Sequence, residues 1–280
     1  MPTSLLKGKT VGLAVFSYKA PHTLGETLAS YKRSGLLDLF DDICIFFVGS
    51  TPRDLAVAEQ FDLRSISTGE ELGVRGGISC MTANMKTDYI LLVEHDCIVW
   101  NGATPEKLRN HLMEALGVLD RDAADMVRLR HSWIRKTKIN AAAIYSYFFQ
   151  IDQLSSSWKH AENLSDAAPW VKWLRRTMNP LRARQWIGRS VYVEESPHLK
   201  FPKYIHKDGN IFIVDSSVFH WTNQPSLFPR EFLIKGMRQV SPLLSLNNNN
   251  SSRLEFEKSI NTRHWRDSHY RIGIARGIFI

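Results

Sequence analysis

Within YILLVEHDCIVW, residues 89–100, an apolar run passes directly into Glu94-His95-Asp96. Charged side chains are almost never fully buried unless they are paired or bind a metal. A buried run that ends in two carboxylates therefore carries them to an edge where negative oxygen ligands are wanted. Read as a strand, the spacing sets Glu94 and Asp96 on one face, roughly 7 Å apart at Cα, with His95 on the other. Such a pair suits a hard divalent cation, Mn2+ or Mg2+, which takes one or two carboxylates together with phosphate oxygens. Asp96 is the candidate direct ligand. Glu94 is the candidate second ligand. The plainer reading is a strand end salt-bridged to an arginine.

The elements that must position this pair are legible upstream. Residues 11–17 (VGLAVFS) and 43–48 (ICIFFV) are short continuous apolar runs, as in strands buried on both faces. Residues 63–66 read as a short third strand. Between them lie helical patterns. One opens at Thr23, with Glu26 three residues on as a capping box, and stops at Gly35. Another spans 55–61, and a third is led by Gly73-Val74-Arg75-Gly76-Gly77 and runs to about Lys86. This β-α-β-α-β order implies an α/β fold with a mainly parallel sheet and right-handed crossovers. Ligands of such sheets sit at the carboxyl ends of the strands. Ser17-Tyr18, Gly49-Ser50 and Glu94–Asp96 all fall there.

Downstream, residues 107–119 look helical, and 126–129, 145–150 and 211–214 look strand-like. Residues 155–190 interleave Trp158, Trp170, Trp173 and Trp186 with seven lysines and arginines. That composition fits a water–lipid interface, a glycan-stacking surface, or an ordinary helical excursion with tryptophan in the core. The apolar end, Ile278-Phe279-Ile280, reads as a packed terminal strand or as the cut end of a longer chain.

The 280 residues, 44% of them hydrophobic, suffice for one α/β domain of two halves. No stretch approaches the ~20 apolar residues that span a bilayer. Cys44, Cys80 and Cys97 have neither metal nor redox spacing, which points to a cytoplasmic protein with the inner membrane face as a place of contact. The formal charge of +8 favours an acidic partner. No nucleic-acid motif accompanies it.

These residues resemble the nucleotide-sugar-binding half of GT-A fold glycosyltransferases related to the large inverting family 2. The resemblance rests on VFSYKAPH after the first strand, FFVGST after the second, the Gly-led helix GVRGGISCMTANMKTDYI, and Glu94-His95-Asp96 in the place of a D-x-D element. A weaker likeness to an acceptor-side segment lies in Trp221-Thr222-Asn223-Gln224-Pro225 and Pro229-Arg230-Glu231-Phe232. Two departures are plain: Gly49-Ser50 stands where a carboxylate often follows the second strand, and Glu94 replaces the first aspartate.

The resemblance implies residues 8–103 as the nucleotide half and 104–280 as the acceptor half, with the Trp/Arg-rich excursion inside it. It implies a nucleoside diphosphate sugar as donor and a glycan or lipid-linked glycan as acceptor, with anionic membrane as a peripheral contact. Ser17, Tyr18, Gly49, Arg75, Asn84 and Glu94 become candidate donor-binding residues. An arginine at a helix N-terminus suits phosphate. Inversion needs a general base for the acceptor hydroxyl. Glu231 is the first candidate, with Asp215 and Glu194-Glu195 behind it. His220, His264 and His269 read as hydrogen-bonded structural residues before they read as metal ligands. Two alternatives remain: a glycoside hydrolase with paired carboxylates, and a non-enzymatic basic protein that binds membrane or polysaccharide.

Overall fold

The computed structural model describes residues 5–67, 73–130, 187–188, 190–191, 196–223, 225–240, 260–261 and 263–279. The strand-like reading of 145–150, the Trp/Arg segment up to 186, and Glu194-Glu195 lie outside them. So do the side chain of Arg75, Gln224 and Ile280.

The first half follows the expected alternation: β1 (Val11–Tyr18), α1 (Pro21–Ser34), β2 (Asp42–Gly49), α2 (Pro52–Gln60), β3 (Arg64–Ser67), α3 (Gly73–Asn84) and β4 (Tyr89–Glu94). The second half holds α4 (Pro105–Asp120), β5 (Met126–Arg130), α5 (Pro197–Lys200), β6 (Ile205–Asp208), β7 (Ile211–Asp215), β8 (Ser226–Pro229), α6 (Arg230–Val240), α7 (Arg263–Asp267) and β9 (Arg271–Phe279). Among the described residues, nine strands join one sheet in the order β3-β2-β1-β4-β8-β5-β9-β7-β6. The β1–β4 region is parallel throughout. The second half is mixed: β5 and β9 are parallel, while β8 and β7 run against their neighbours. The result is an α/β fold whose second half is an α+β extension of the same sheet.

The sheet has a core on each face. Leu13, Val15, Leu91 and Val93 face α1, α2 and α4, whereas Ala14, Phe16, Ile90 and Leu92 face α3 and the chain around Trp221. The first two crossovers travel toward β3, and the third returns across the sheet to β4. A right-handed connection that reverses direction must pass over the opposite face. This is why α3 lies opposite α1 and α2, and why the switch point of the sheet falls between β1 and β4. Gly77 lets α3 approach, since a Cβ there would sit 2.4 Å from a Val48 methyl.

One local expectation is overturned. Thr23 does not cap α1. The helix begins at Pro21, whose fixed φ and missing N–H suit the first turn. Gly35 does end it, at φ 70° in the left-handed region, with its N–H on the Lys32 and Tyr31 carbonyls.

Candidate functional site

At the carboxyl edge of β1, β2 and β4 the chain leaves the sheet at three adjacent points. Phe16 pairs with Glu94 and Tyr18 with Gly49. Glu94, on the face of Ile90 and Leu92, is the last strand residue and is 9% exposed. His95 and Asp96 form a turn, closed by the Cys97 N–H on the Glu94 carbonyl at 3.1 Å. The strict strand alternation anticipated for Glu94 and Asp96 therefore ends at Glu94, and the turn carries the Asp96 carboxylate out into solvent. The His95 N–H donates to the Phe16 carbonyl at 2.8 Å, which ties the turn to β1 across the switch point.

Helix α1 holds this turn from the other side. Thr27 donates to the His95 carbonyl at 2.6 Å, and the Tyr31 hydroxyl donates to the Cys97 carbonyl at 2.7 Å. The Ser30 hydroxyl accepts from the Val99 N–H at 3.3 Å. Burial first, and then Cys97 and Asp96 nearby, hold the Tyr31 phenol well above its ordinary pKa, so it stays a neutral donor. None of the three was singled out from sequence. The available signal is polar residues at 27, 30 and 31 on the stripe that also carries Leu24 and Leu28, where an amphipathic helix should be apolar.

Ser17 is buried, and its hydroxyl has no hydrogen-bond partner among the described residues. Tyr18 beside it is exposed, with the Lys19 ammonium 5.2 Å from its ring centroid. The Lys19 N–H donates to the Gly49 carbonyl, joining the two strand ends. A carboxylate does follow β2, but it turns inward. Asp54 is fully buried and accepts from the Thr51 N–H at 2.7 Å, the Thr51 hydroxyl at 2.5 Å and the Ala20 N–H at 3.0 Å. It caps α2 and fixes the loop after β1, so it is not turned toward a ligand.

Three candidate residues lie away from Glu94 and Asp96, two through the direction of the later strands and one at the end of α3. β8 runs against β4, with Ser226 opposite Leu92 and Pro229 opposite Tyr89. Glu231, which starts α6, therefore lies at the beginning of β4. Five residues, about 17 Å of strand, separate that level from Glu94. Its carboxylate is exposed and paired with Lys235 at 3.2 Å. Asp215 ends β7 opposite Arg271, at the beginning of β9 and thus at the same far edge. It accepts from the Ser217 N–H and meets His269 Nδ1 at 2.9 Å. Asn84 ends α3, where its amide donates to the Cys80 carbonyl at 2.8 Å. Arg230 binds the carbonyls of Thr82 and Met85 there, again at the far edge. None of the three faces Glu94 and Asp96. Arg75 does begin α3, the end nearer the site. Of the histidines, His264 is exposed and His269 sits on Asp215.

The Trp221-Thr222-Asn223 part of the acceptor-like segment enters β8 from the carboxyl edge of β4. All three residues are buried, and Asn261 clamps Trp221 by accepting from its N–H and donating to its carbonyl. Sequence reading also missed Arg128. It is 2% exposed, in register with Ser226, and shares the face of Met126. Its guanidinium donates to the His220 carbonyl and lies 4.5 Å from the Phe219 ring centroid. This places a buried cation on the sheet face that carries Glu94.

Among the described residues, no group of three His, Cys, Asp or Glu side chains could hold a metal. The carboxylates of Glu94 and Asp96, at the end of β4 and in the turn that follows, suit a cation that takes its remaining ligands from a diphosphate and water.

No protein-family model matches the sequence, and no curated protein matches it. Solved structures to which the chain is similar include a mannosyltransferase from Pyrobaculum calidifontis in complex with GDP-Man and Mn2+, at 13% identity and TM-score 0.37 over 46% of this chain and 37% of that one. Another is the glucosyl-3-phosphoglycerate synthase of Mycobacterium tuberculosis with Mn2+ and UDP-Glc, at 18% identity, TM-score 0.35 and 43% of each chain. A third is a mannosyl-3-phosphoglycerate synthase from Rubrobacter xylanophilus, at 16% identity and TM-score 0.35, over 53% of this chain and 49% of that one. The chain thus spans about half or less of each of these proteins. Likeness of this degree leaves the functional reading to the site itself.

Proposed function

We propose that the chain is a metal-dependent GT-A type glycosyltransferase that moves a sugar from a nucleoside diphosphate sugar to a glycan or lipid-linked glycan acceptor, with inversion. The observation that carries this reading is the turn at Glu94–Asp96. It presents an exposed carboxylate at the switch point of a parallel sheet, held there by three side chains of α1. Asp96 is the metal ligand, and Glu94 orients the ribose, a water or the second side of the metal. In this reading Ser17, Tyr18 and Gly49 border the nucleotide, and Arg75, in the first turn of α3, is assigned to the phosphates together with the helix N-terminus.

When bound, the cation stabilises the charge that builds on the diphosphate as it leaves. The buried Arg128 adds positive potential on the same face. Glu231 and Asp215, at the opposite edge of the sheet, are the less favoured candidates for the base in this reading. Of the original candidates Glu194-Glu195 remain, outside the described residues. A cytoplasmic location is part of the same proposal, and a lipid-linked acceptor would call for peripheral contact with the inner membrane face. Among the described residues no helix is long and apolar enough to cross a bilayer.

Titration calorimetry with UDP, GDP, TDP and CMP, each with and without Mn2+, tests the reading on the wild type and on Asp96→Ala. Metal-dependent binding of one nucleotide, lost in the variant, is the expected result and names the base. Folded protein that binds none of them, with or without metal, would overturn it.

A further inference from the structure

The end of the sheet farthest from β3 carries a surface that the proposed transfer does not use. Its centre is Leu199 in α5, 74% exposed and the most exposed large apolar side chain among the described residues. The chain on both sides of it is fixed. Pro197 is buried, the His198 ring lies 5.8 Å from that of Phe212, and Phe201 and Tyr204 pack against the core. Phe201 donates to the Pro197 carbonyl at 2.9 Å, and Ile205 donates to the Phe201 carbonyl at 3.0 Å. Leu199 is thus an aliphatic side chain held outside on an ordered base.

The sequence that follows it is basic. Lys200, Lys203, His206 and Lys207 are all exposed, and Ser196 to Lys207 contains no acidic residue, while Glu194-Glu195 just upstream lie outside the described residues. The Lys200 and Lys203 ammonium groups lie 5.8 and 5.5 Å from the rings of Phe201 and Tyr204. Asp208, the next carboxylate in the chain, is engaged by Arg121 at 3.0 Å. A solvated lysine cluster alone would fit any polyanion. An exposed leucine at its centre fits a surface that offers negative charge and, just beneath it, hydrocarbon.

We propose that residues 197–207 form a docking knuckle for an anionic lipid surface, with Leu199 entering the headgroup layer and Lys200, Lys203 and Lys207 meeting lipid phosphates. His198 packs on Phe212, on the sheet face that carries Glu94, with five strand spacings between β6 and β4, roughly 24 Å. The knuckle is therefore an anchor at a distance from the site. It stands whether or not the transferase reading holds.

The test is cosedimentation of the full chain with phosphatidylcholine vesicles, with and without phosphatidylglycerol, at low and high salt. Wild type, Leu199→Ser and Lys200→Glu/Lys203→Glu are compared, with circular dichroism and calorimetric nucleotide titration as controls. Preference for the anionic vesicles that salt weakens is expected in the wild type. Reversal of the two lysines should lower partitioning at least about tenfold, and loss of the leucine about fivefold. Nucleotide binding should match the wild type in both variants.

Equal binding to both vesicle types would overturn the proposal. Unchanged partitioning of the variants would also overturn it and move any lipid contact to another part of the chain. If only the lysine variant loses binding, and soluble heparin competes fully, the surface is a polyanion site and not a lipid one. If Leu199→Ser turns an oligomer into a monomer by light scattering, the surface joins two copies of the chain.

Discussion

The two edges of the sheet treat their carboxylates differently. At the beginning of β1 and β4, Asp88 accepts from the N–H and hydroxyl of Thr10, and Asp41 accepts from the Val11 N–H. At the same edge Arg271 binds Asp122 and Asp125, His269 sits on Asp215, and Lys235 pairs with Glu231. At the carboxyl edge of β1 and β4, Thr27, Ser30 and Tyr31 of α1 hydrogen-bond the backbone of residues 95–99, while Asp96 is exposed and, among the described residues, its carboxylate meets the Cys97 thiol at 3.7 Å. The first arrangement closes strand ends and joins loops. The second fixes the position of a charged group while leaving its oxygens available. A carboxylate whose backbone is held but whose side chain is not engaged is the better candidate for a ligand.

The largest expected effect comes from exchanging one edge for the other. Asp96→Asn should lower sugar transfer by at least about 100-fold, because charge stabilisation in the transition state is lost. The same change at an exposed turn should alter stability by under about 0.5 kcal/mol. Glu231→Gln and Asp215→Asn should leave kcat within about twofold. Steady-state kinetics with a panel of sugars carried on the nucleotide that calorimetry identifies decides the matter. Turnover abolished in Glu231→Gln would break the contrast between the edges.

This contrast also explains what could be read in advance. The runs at 11–17, 43–48 and 89–93 are apolar because both faces of β1, β2 and β4 are covered, so their ends pointed to Ser17, Gly49 and Glu94. The position of Glu231 could not be read the same way. It depends on β8 entering between β4 and β5 in the opposite direction, and a four-residue strand, Ser226–Pro229, carries no mark of its direction. The clamp at Thr27, Ser30 and Tyr31 was hidden for another reason: its partners are backbone atoms 66 to 69 positions away.

That clamp supplies the second effect. Tyr31→Phe removes the donor from the buried Cys97 carbonyl, at a cost of about 1–3 kcal/mol. If the clamp fixes the turn, the apparent Mn2+ affinity should also fall, by about tenfold, with the nucleotide affinity measured without metal unchanged. Thermal unfolding and Mn2+ titration separate the two. A fall in Tm with unaltered Mn2+ affinity would make α1 a structural support only.

At the far edge, Arg271→Met should cost about 1 kcal/mol. The figure is modest because the side chain is 41% exposed and solvent screens its pairs with Asp122 and Asp125. The Asp125 hydrogen bond holds the guanidinium above its ordinary range, so it stays charged at every accessible pH. Denaturant unfolding at low and high salt reads the loss, which should shrink with salt. Metal-dependent nucleotide binding should be untouched. A change there would mean that the two edges are coupled through β5 and β9.

The smallest effect is at Asp88, where the Thr10 N–H, ahead of the Thr10 hydroxyl and the Lys9 charge, draws the carboxyl below its usual pKa. A carboxyl lowered in the folded state contributes stability above its unfolded value, near 4, and loses it as pH falls through the folded value. In this exposed position the contribution is no more than about 0.5 kcal/mol. Asp88→Asn should lower stability by that amount at neutral pH and by nothing at the acid end, where the wild type has lost the same term. Denaturant unfolding between pH 7 and about 3 checks the convergence. Curves that stay parallel over that range would mean that the Thr10 bonds act through the amide as well as through the charge, and that Asp88 joins the two strands by shape alone.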